Sequence, residues 1–304
     1  MEWLQDNPKV RMRDPAGVAK KIHKLIQDGP QKLQVVTDYD HTLARSHYQG
    51  RPVGTSYCVF EADESVSEDY QTEAARLKKK YLPIEFDPNL SEEEKIPHMI
   101  QWYAESFDII LSSGINENQL PAMVQRADLH LRCRTPECFE FLNQQKVPIL
   151  VYSAGLGNII ELSLKQQNAM KGNVTIIANF LVYKPDGTPL KFASDSVLHS
   201  YNKNASHPMT RDYYSSEKLQ QRNNAILIGD SLGDASMTDG APCLKPPPAG
   251  HSTVLRIGFL NRNFDASLKR YLDAFDIVLV DDQTMDVPLE LFRRTCCDAI
   301  SSQT

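Results

Sequence analysis

Five short runs rich in valine, isoleucine and leucine constrain the fold open to this chain: 32–37 (KLQVVT), 148–152 (PILVY), 174–178 (VTIIA), 225–229 (AILIG) and 276–280 (DIVLV). Each is too brief for an ordinary helix and lacks polar alternation, the pattern of strands covered on both faces. Helical stretches separate them. The expected fold class is α/β: a Rossmann-like, mostly parallel sheet flanked by helices. Asp14-Pro15 reads as the cap and first position of a helix, and Asp28-Gly29 as its stop. Between them Val18, Ile22, Leu25 and Ile26 share one face. Asp186-Gly187, between two apolar runs, signals a hairpin.

The stretch 44–145 reads differently. It has almost no strand signal and four helical segments, near 65–81, 91–111, 116–131 and 136–145. Ser91 and Glu94 fit a capping box, although Pro97 predicts a kink or a later start. A helical block inserted between the first and second strands makes a natural cap. The expected domains are a core of 1–43 and 146–304, and a cap of 44–145.

Composition narrows the function classes. The chain has 304 residues, 41% hydrophobic and 24% charged, with net charge −6. A binder of nucleic acid polymers should carry a broad basic stripe, and the densest basic run is only Lys78-Lys79-Lys80. No apolar run approaches the roughly 18 residues that span a bilayer. The polar start, interrupted by Pro8, does not read as a secretory signal. Cys133 and Cys138 lack a second pair for a zinc site, and the six cysteines read as reduced thiols. The expectation is a cytoplasmic monomer that acts on a small molecule, with neither membrane nor nucleic acid polymer as partner.

The sharpest chemical signal is Asp38-Tyr39-Asp40-His41-Thr42, directly after the first strand. Ligands of open α/β sheets bind beyond the carboxyl ends of the strands. Two carboxylates at i and i+2 there can share one chemical task, one attacking phosphorus and the other protonating the leaving oxygen. After the strand at 148–152 comes Ser153-Ala154-Gly155, a hydroxyl and backbone N–H groups suited to phosphate. After 225–229 comes Gly229-Asp230-Ser231-Leu232-Gly233-Asp234, acidic groups suited to Mg²⁺. Lys203 lies between these motifs and can neutralise phosphate charge. A dehydrogenase would need G-x-G-x-x-G after the first strand, which is absent.

Acid motif, serine, lysine and G-D-x-x-G-D, in that order, resemble the haloacid dehalogenase superfamily. Further runs resemble one branch, the cytosolic 5′-nucleotidase III family: 84–88 (IEFDP), 95–106 (KIPHMIQWYAES), 178–180 (ANF), 199–203 (HSYNK), 229–240 (GDSLGDASMTDG) and 257–261 (IGFLN). The resemblance covers about 31–280 and implies a Mg²⁺-dependent 5′-nucleotidase that hydrolyses CMP or 7-methyl-GMP through a phospho-aspartate. It implies Asp38 as nucleophile and Asp40 as general acid–base. Mg²⁺ would be held by Asp38, the Asp40 backbone carbonyl and Asp230. Phosphate would be held by Ser153, Ala154 and Lys203, and the nucleoside by Glu85 and Ser106. Asp234 would orient a water or Lys203. Tyr103, on the same helix as Ser106, can stack on the base or pack in the cap, whereas Trp102 and Met99 read more as packing. The alternative is a phosphatase or phosphotransferase of the same fold acting on another small phosphomonoester. The stretch 245–252 (KPPPAGHS) looks like an insertion, and His41 departs from the family pattern.

Overall fold

The computed structural model describes residues 1–87, 89–127, 129–245 and 251–301, with the side chains of 298–301 excepted. Pro88 of the 84–88 run and most of the 245–252 insertion lie outside the described residues. The principal sheet contains β1 (Val10–Arg11), β2 (Leu33–Thr37), β3 (Ile149–Leu156), β4 (Val174–Asn179), β5 (Asn224–Gly229), β6 (Thr253–Leu260) and β7 (Ile277–Val280). Their order is β1-β7-β6-β5-β2-β3-β4, parallel except for β1 against β7. All five expected strands form.

Two strands of the principal sheet escaped the sequence reading. β1 is only two residues long, and β6 carries Arg256 in its middle. Strand β3 also runs further than expected, through Ser153-Ala154-Gly155 to Leu156. Register aligns Thr37 of β2 with Ile228 of β5 and with Val151 of β3. The residues that follow these three positions therefore emerge side by side at the carboxyl edge.

The helix Pro15–Asp28 begins where Asp14 accepts from Gly17 N at 2.9 Å and stops at Gly29, whose φ of 70° suits glycine. Apolar clusters cover both faces of the sheet: one includes Leu25, Val35, Ile149 and Phe292, the other Val36, Leu150, Leu227 and Met237.

Between β2 and β3 lie the helices Glu68–Glu85, Glu92–Ser112, Leu120–Ala127 and Thr135–Gln144. The capping box at Ser91 and Glu94 is formed, and the helix runs from Glu92 through Pro97, so its start is not delayed. A third cluster joins Phe60, Phe107, Ile110 and Met123 to Leu181 and Phe192, from the ribbon of Leu181–Tyr183 and Pro189–Phe192. That ribbon is the expected hairpin. Helix Thr135–Gln144 falls inside 44–145, yet its Cys138, Phe139 and Leu142 are buried in the cluster of the sheet. All six cysteines are free. Among the described residues no helix is long and apolar enough to cross a membrane.

Candidate active site

Backbone pairing delivers the first carboxylate. Asp38 N donates to Ile228 O at 3.0 Å, which ties the end of β2 to β5. Asp230 and Asp234 follow β5 in one tight turn, where Asp234 Oδ2 accepts from the backbone N–H groups of Asp230 (3.0 Å) and Ser231 (2.9 Å). Gly229 permits this turn, because a Cβ there would lie 2.3 Å from Asp234 Cβ. Oxygens of Asp38, Asp230 and Asp234 come within 4.8 Å of one another. Lys203 sits among them, its Nζ 2.6 Å from Asp38 Oδ1 and 2.5 Å from Asp234 Oδ1.

Charge in this cluster would not balance with every carboxylate ionised: three carboxylates and one ammonium would sum to −2. Burial opposes the charge on Lys203, but Asp234 and Asp38 outweigh it and hold the ammonium protonated. Burial, then repulsion from Asp234, pushes Asp230 up to about 7. Asp38 is raised by burial, against the pull of Lys203. Asp234 has both oxygens engaged, one by Lys203 and one by two N–H groups. Asp38 and Asp230 keep lone pairs free, and Asp230 retains an edge open to solvent. An all-oxygen, net-negative, partly solvated donor set fits Mg²⁺ better than a soft or nitrogen-seeking metal.

Asp40 lies beside this cluster, held by Ser56. Its Oδ1 accepts from Ser56 N at 2.7 Å and its Oδ2 from the Ser56 hydroxyl at 2.8 Å. The Ser56 hydroxyl in turn accepts from Leu156 N at 3.1 Å. Gly155 makes room here, since a Cβ would lie 2.3 Å from Ser56 Oγ and 2.7 Å from Asp40 Oδ2. The Asp40 carboxyl is raised, principally by burial rather than by the charge of Asp38. Ser153 is buried and its hydroxyl accepts from Gly155 N at 3.0 Å. The Ala154 carbonyl accepts from Asn179 Nδ2 at 2.8 Å. Asp38, Asp40, Ser153, Ala154, Asp230 and Asp234 thus share the carboxyl edge of β2, β3 and β5, and Lys203 reaches it from a loop.

The insert approaches from the helix ends. Glu85, the last residue of Glu68–Glu85, accepts from the Ser200 hydroxyl at 2.6 Å, three residues before Lys203. Lys95 Nζ and the Tyr201 hydroxyl donate to its backbone carbonyl at 2.9 and 3.2 Å. Burial raises the Glu85 carboxyl, against the Ser200 hydrogen bond. Tyr103 packs edge-on against Tyr57 and Phe107 and tilted against His199, bridging two apolar clusters. Trp102 stacks on Tyr81 with ring centres 5.7 Å apart, and Met99 is fully buried. Ser106 is half-buried on the same helix, and its hydroxyl makes no hydrogen bond among the described residues.

Ser56, Ser200 and Asn261 were not singled out from the sequence. Asn261 follows β6, so the strand-end rule would have found it had 253–260 been read as a strand. Nothing in the local sequence marks Ser56, which reaches Asp40 across sixteen residues.

The sequence profile of the Pyrimidine 5′-nucleotidase (UMPH-1) family matches residues 41–296. The chain is 37% identical over 295 residues to the 7-methylguanosine phosphate-specific 5′-nucleotidase of Drosophila melanogaster, covering 95% of this chain and 89% of that one. It is similar to a crystal structure of cytosolic 5′-nucleotidase IIIB bound to cytidine, with TM-score 0.86, 36% identity and coverage of 96% and 98%. A probable phosphoserine phosphatase from Vibrio cholerae, 14% identical with TM-score 0.51 and coverage of 91% and 69%, shares the fold alone. The chain belongs to the pyrimidine 5′-nucleotidase (UMPH-1) family and is a 5′-nucleotidase, a phosphoric monoester hydrolase.

Proposed function

We propose that the enzyme hydrolyses CMP and 7-methyl-GMP to nucleoside and phosphate through a phospho-aspartate on Asp38, with Mg²⁺ as cofactor. The observation that carries this reading is the buried Lys203 ammonium set between Asp38 and Asp234, with Asp40 beside them at the same sheet edge. Asp38 Oδ attacks phosphorus, a bond forms to the aspartate, and the bond to the nucleoside 5′ oxygen breaks. That oxygen takes the Asp40 proton. Water then gives a proton to Asp40 as its oxygen attacks phosphorus, and the bond to Asp38 breaks. Lys203 holds phosphate oxygens, joined by the Ser153 hydroxyl and the Ala154 backbone. Side chains of Asp38 and Asp230 and the Asp40 carbonyl would hold the cation, which when bound supplies charge neutralisation on phosphate and nucleophile.

The proposed cap, 44–145, supplies Glu85, Tyr103 and Ser106 to the nucleoside. Glu85 has one oxygen beyond the Ser200 bond, and a carboxylate accepts from the amino group that cytosine and guanine both carry. Within that stretch Thr135–Gln144 serves the core, as its burial indicates. The enzyme is proposed to act as a cytoplasmic monomer. The test is phosphate release from a panel of nucleoside monophosphates, with and without chelator. The expected result is hydrolysis of CMP and 7-methyl-GMP ahead of the others, lost on chelation. Preference for a phosphomonoester without a base, or full activity under chelation, would overturn the reading.

A further inference from the structure

The largest fully buried side chain in the described structure is charged. Arg132 has no exposed surface, and its guanidinium lies over the Phe259 ring, 3.7 Å from the centroid. Burying an ion without a counter-ion costs several kcal/mol, yet among the described residues no carboxylate lies within ion-pair distance of it. Its partners are neutral oxygens. Nε donates to Thr42 O at 2.6 Å, and Nη2 to His41 O at 2.6 Å and Asn261 Oδ1 at 2.9 Å. Nη1 donates to Asp282 O. A fold seldom retains such a group unless those acceptors need fixing.

Two of the acceptors belong to the turn that directly follows Asp40. His41 stands at φ 58°, the left-handed region that costs energy for a residue with a side chain. Its carbonyl receives two donors, Arg132 Nη2 and Asn261 Nδ2, the latter at 3.0 Å. The guanidinium also settles which way Asn261 faces. Arginine has donors only, so the amide oxygen must point at Arg132 and the NH₂ away from it. That NH₂ then donates to Asp230 Oδ2 at 3.3 Å, while the Thr42 hydroxyl donates to Asp230 Oδ1 at 3.3 Å. A chain of contacts runs from a buried cation, through one amide, to a carboxylate of the candidate cation site.

We infer that Arg132 and Asn261 are positioning residues that orient Asp230 and lock the turn after Asp40, and thereby set the affinity of the acidic cluster for its divalent cation. The inference rests on the reading of Asp38 and Asp230 as cation ligands. Neither residue touches substrate or the reacting atoms in this account. Partners that orient a metal ligand are typically worth 10–100-fold in metal affinity.

The test is Mn²⁺ binding to the chelator-cleared full chain, read by the electron paramagnetic resonance of free Mn²⁺, in wild type, Asp230→Asn, Asn261→Ala and Arg132→Lys. Asn261→Ala leaves Arg132 three backbone acceptors and should keep the wild-type melting temperature, yet weaken Mn²⁺ by about 10–100-fold. It should also raise the Mg²⁺ needed for half-maximal activity while kcat recovers at saturating Mg²⁺. Arg132→Lys, with a single compact head that cannot reach four acceptors, should weaken Mn²⁺ at least as much. Should Arg132→Lys fail to fold, Asn261→Ala carries the test alone. Wild-type Mn²⁺ affinity in a folded Asn261→Ala overturns the relay while Asp230→Asn still confirms the cation site. Unchanged binding in Asp230→Asn would overturn the cation-site reading and the relay with it.

Discussion

The strand-end cluster and the face of the insert that meets it are built from different materials. In the cluster, short side chains within one to five residues of a strand end are fixed by backbone pairing: Asp38 by the β2–β5 ladder, Asp234 by two N–H groups, Asp40 by both donors of Ser56. The insert face is carried on helices of 18 and 21 residues and meets the Lys203 segment through side chains: Glu85 on Ser200, the Glu85 carbonyl on the Tyr201 hydroxyl, and Tyr103 against His199. On the proposed reading the reaction chemistry, which tolerates displacement poorly, sits where the backbone leaves no freedom. On the same proposed reading, substrate choice sits where side chains and helix positions can vary without disturbing the cluster.

If that division holds, changes in the cluster should cost far more than changes in the insert. Asp40→Asn should fold, because the amide can still accept from Ser56 N and donate to the Ser56 hydroxyl. It should lower kcat on nucleotides by roughly 10²–10⁴-fold, and less on an aryl phosphate whose leaving group needs no proton. Equal losses on both substrates would remove Asp40 from the proton-transfer role.

The charge imbalance makes a pH prediction about stability. Asp230 titrates near 7 when folded, raised from an ordinary 3.8 by burial and by Asp234. Between those values the folded form binds more protons than the unfolded, so stability falls as pH rises across the window. The melting temperature of chelator-treated protein should therefore fall between these two pH values through this group. Asp230→Asn should flatten the slope, and Mg²⁺ should restore stability at neutral pH. An unchanged slope in Asp230→Asn would mean that the cluster does not carry uncompensated charge.

The smallest effect belongs to the insert. Glu85→Ala should lower kcat/KM for CMP and 7-methyl-GMP by about 10–100-fold, the worth of a hydrogen bond to a charged group, and leave a base-free phosphate almost untouched. Equal slowing of all three would show that Glu85 acts through Ser200 on the Lys203 segment, and the two regions would then be one.

The same contrast explains what the sequence made legible. Hydrophobic runs located five of the seven strands of the principal sheet, and acidic residues at strand ends located the cluster, because strand-end position is a local property of the chain. β1 was missed because two residues carry no periodicity, and β6 because Arg256 interrupts its apolar pattern. Arg132 and Ser56 were illegible for another reason. Arg132 meets the turn after Asp40 across 90 and 91 residues and Ser56 meets Asp40 across 16, and neither has a local pattern that marks it. The sequence leaves Tyr103 open between base stacking and packing, and its ring contacts are those of a packed residue with one flank toward His199. The Thr135–Gln144 helix looked like the rest of the insert because amphipathic periodicity says which face is buried but not against what.

On the proposed mechanism phosphorus passes through Asp38. Wild-type enzyme mixed with CMP or 7-methyl-GMP is quenched in acid during the first turnover, digested, and its peptides are weighed. One added phosphoryl group is expected on the peptide containing Asp38, absent in Asp38→Asn and decaying as phosphate is released. Turnover with no phosphoryl group on that peptide at any quench time, or with one on a different residue, would contradict it.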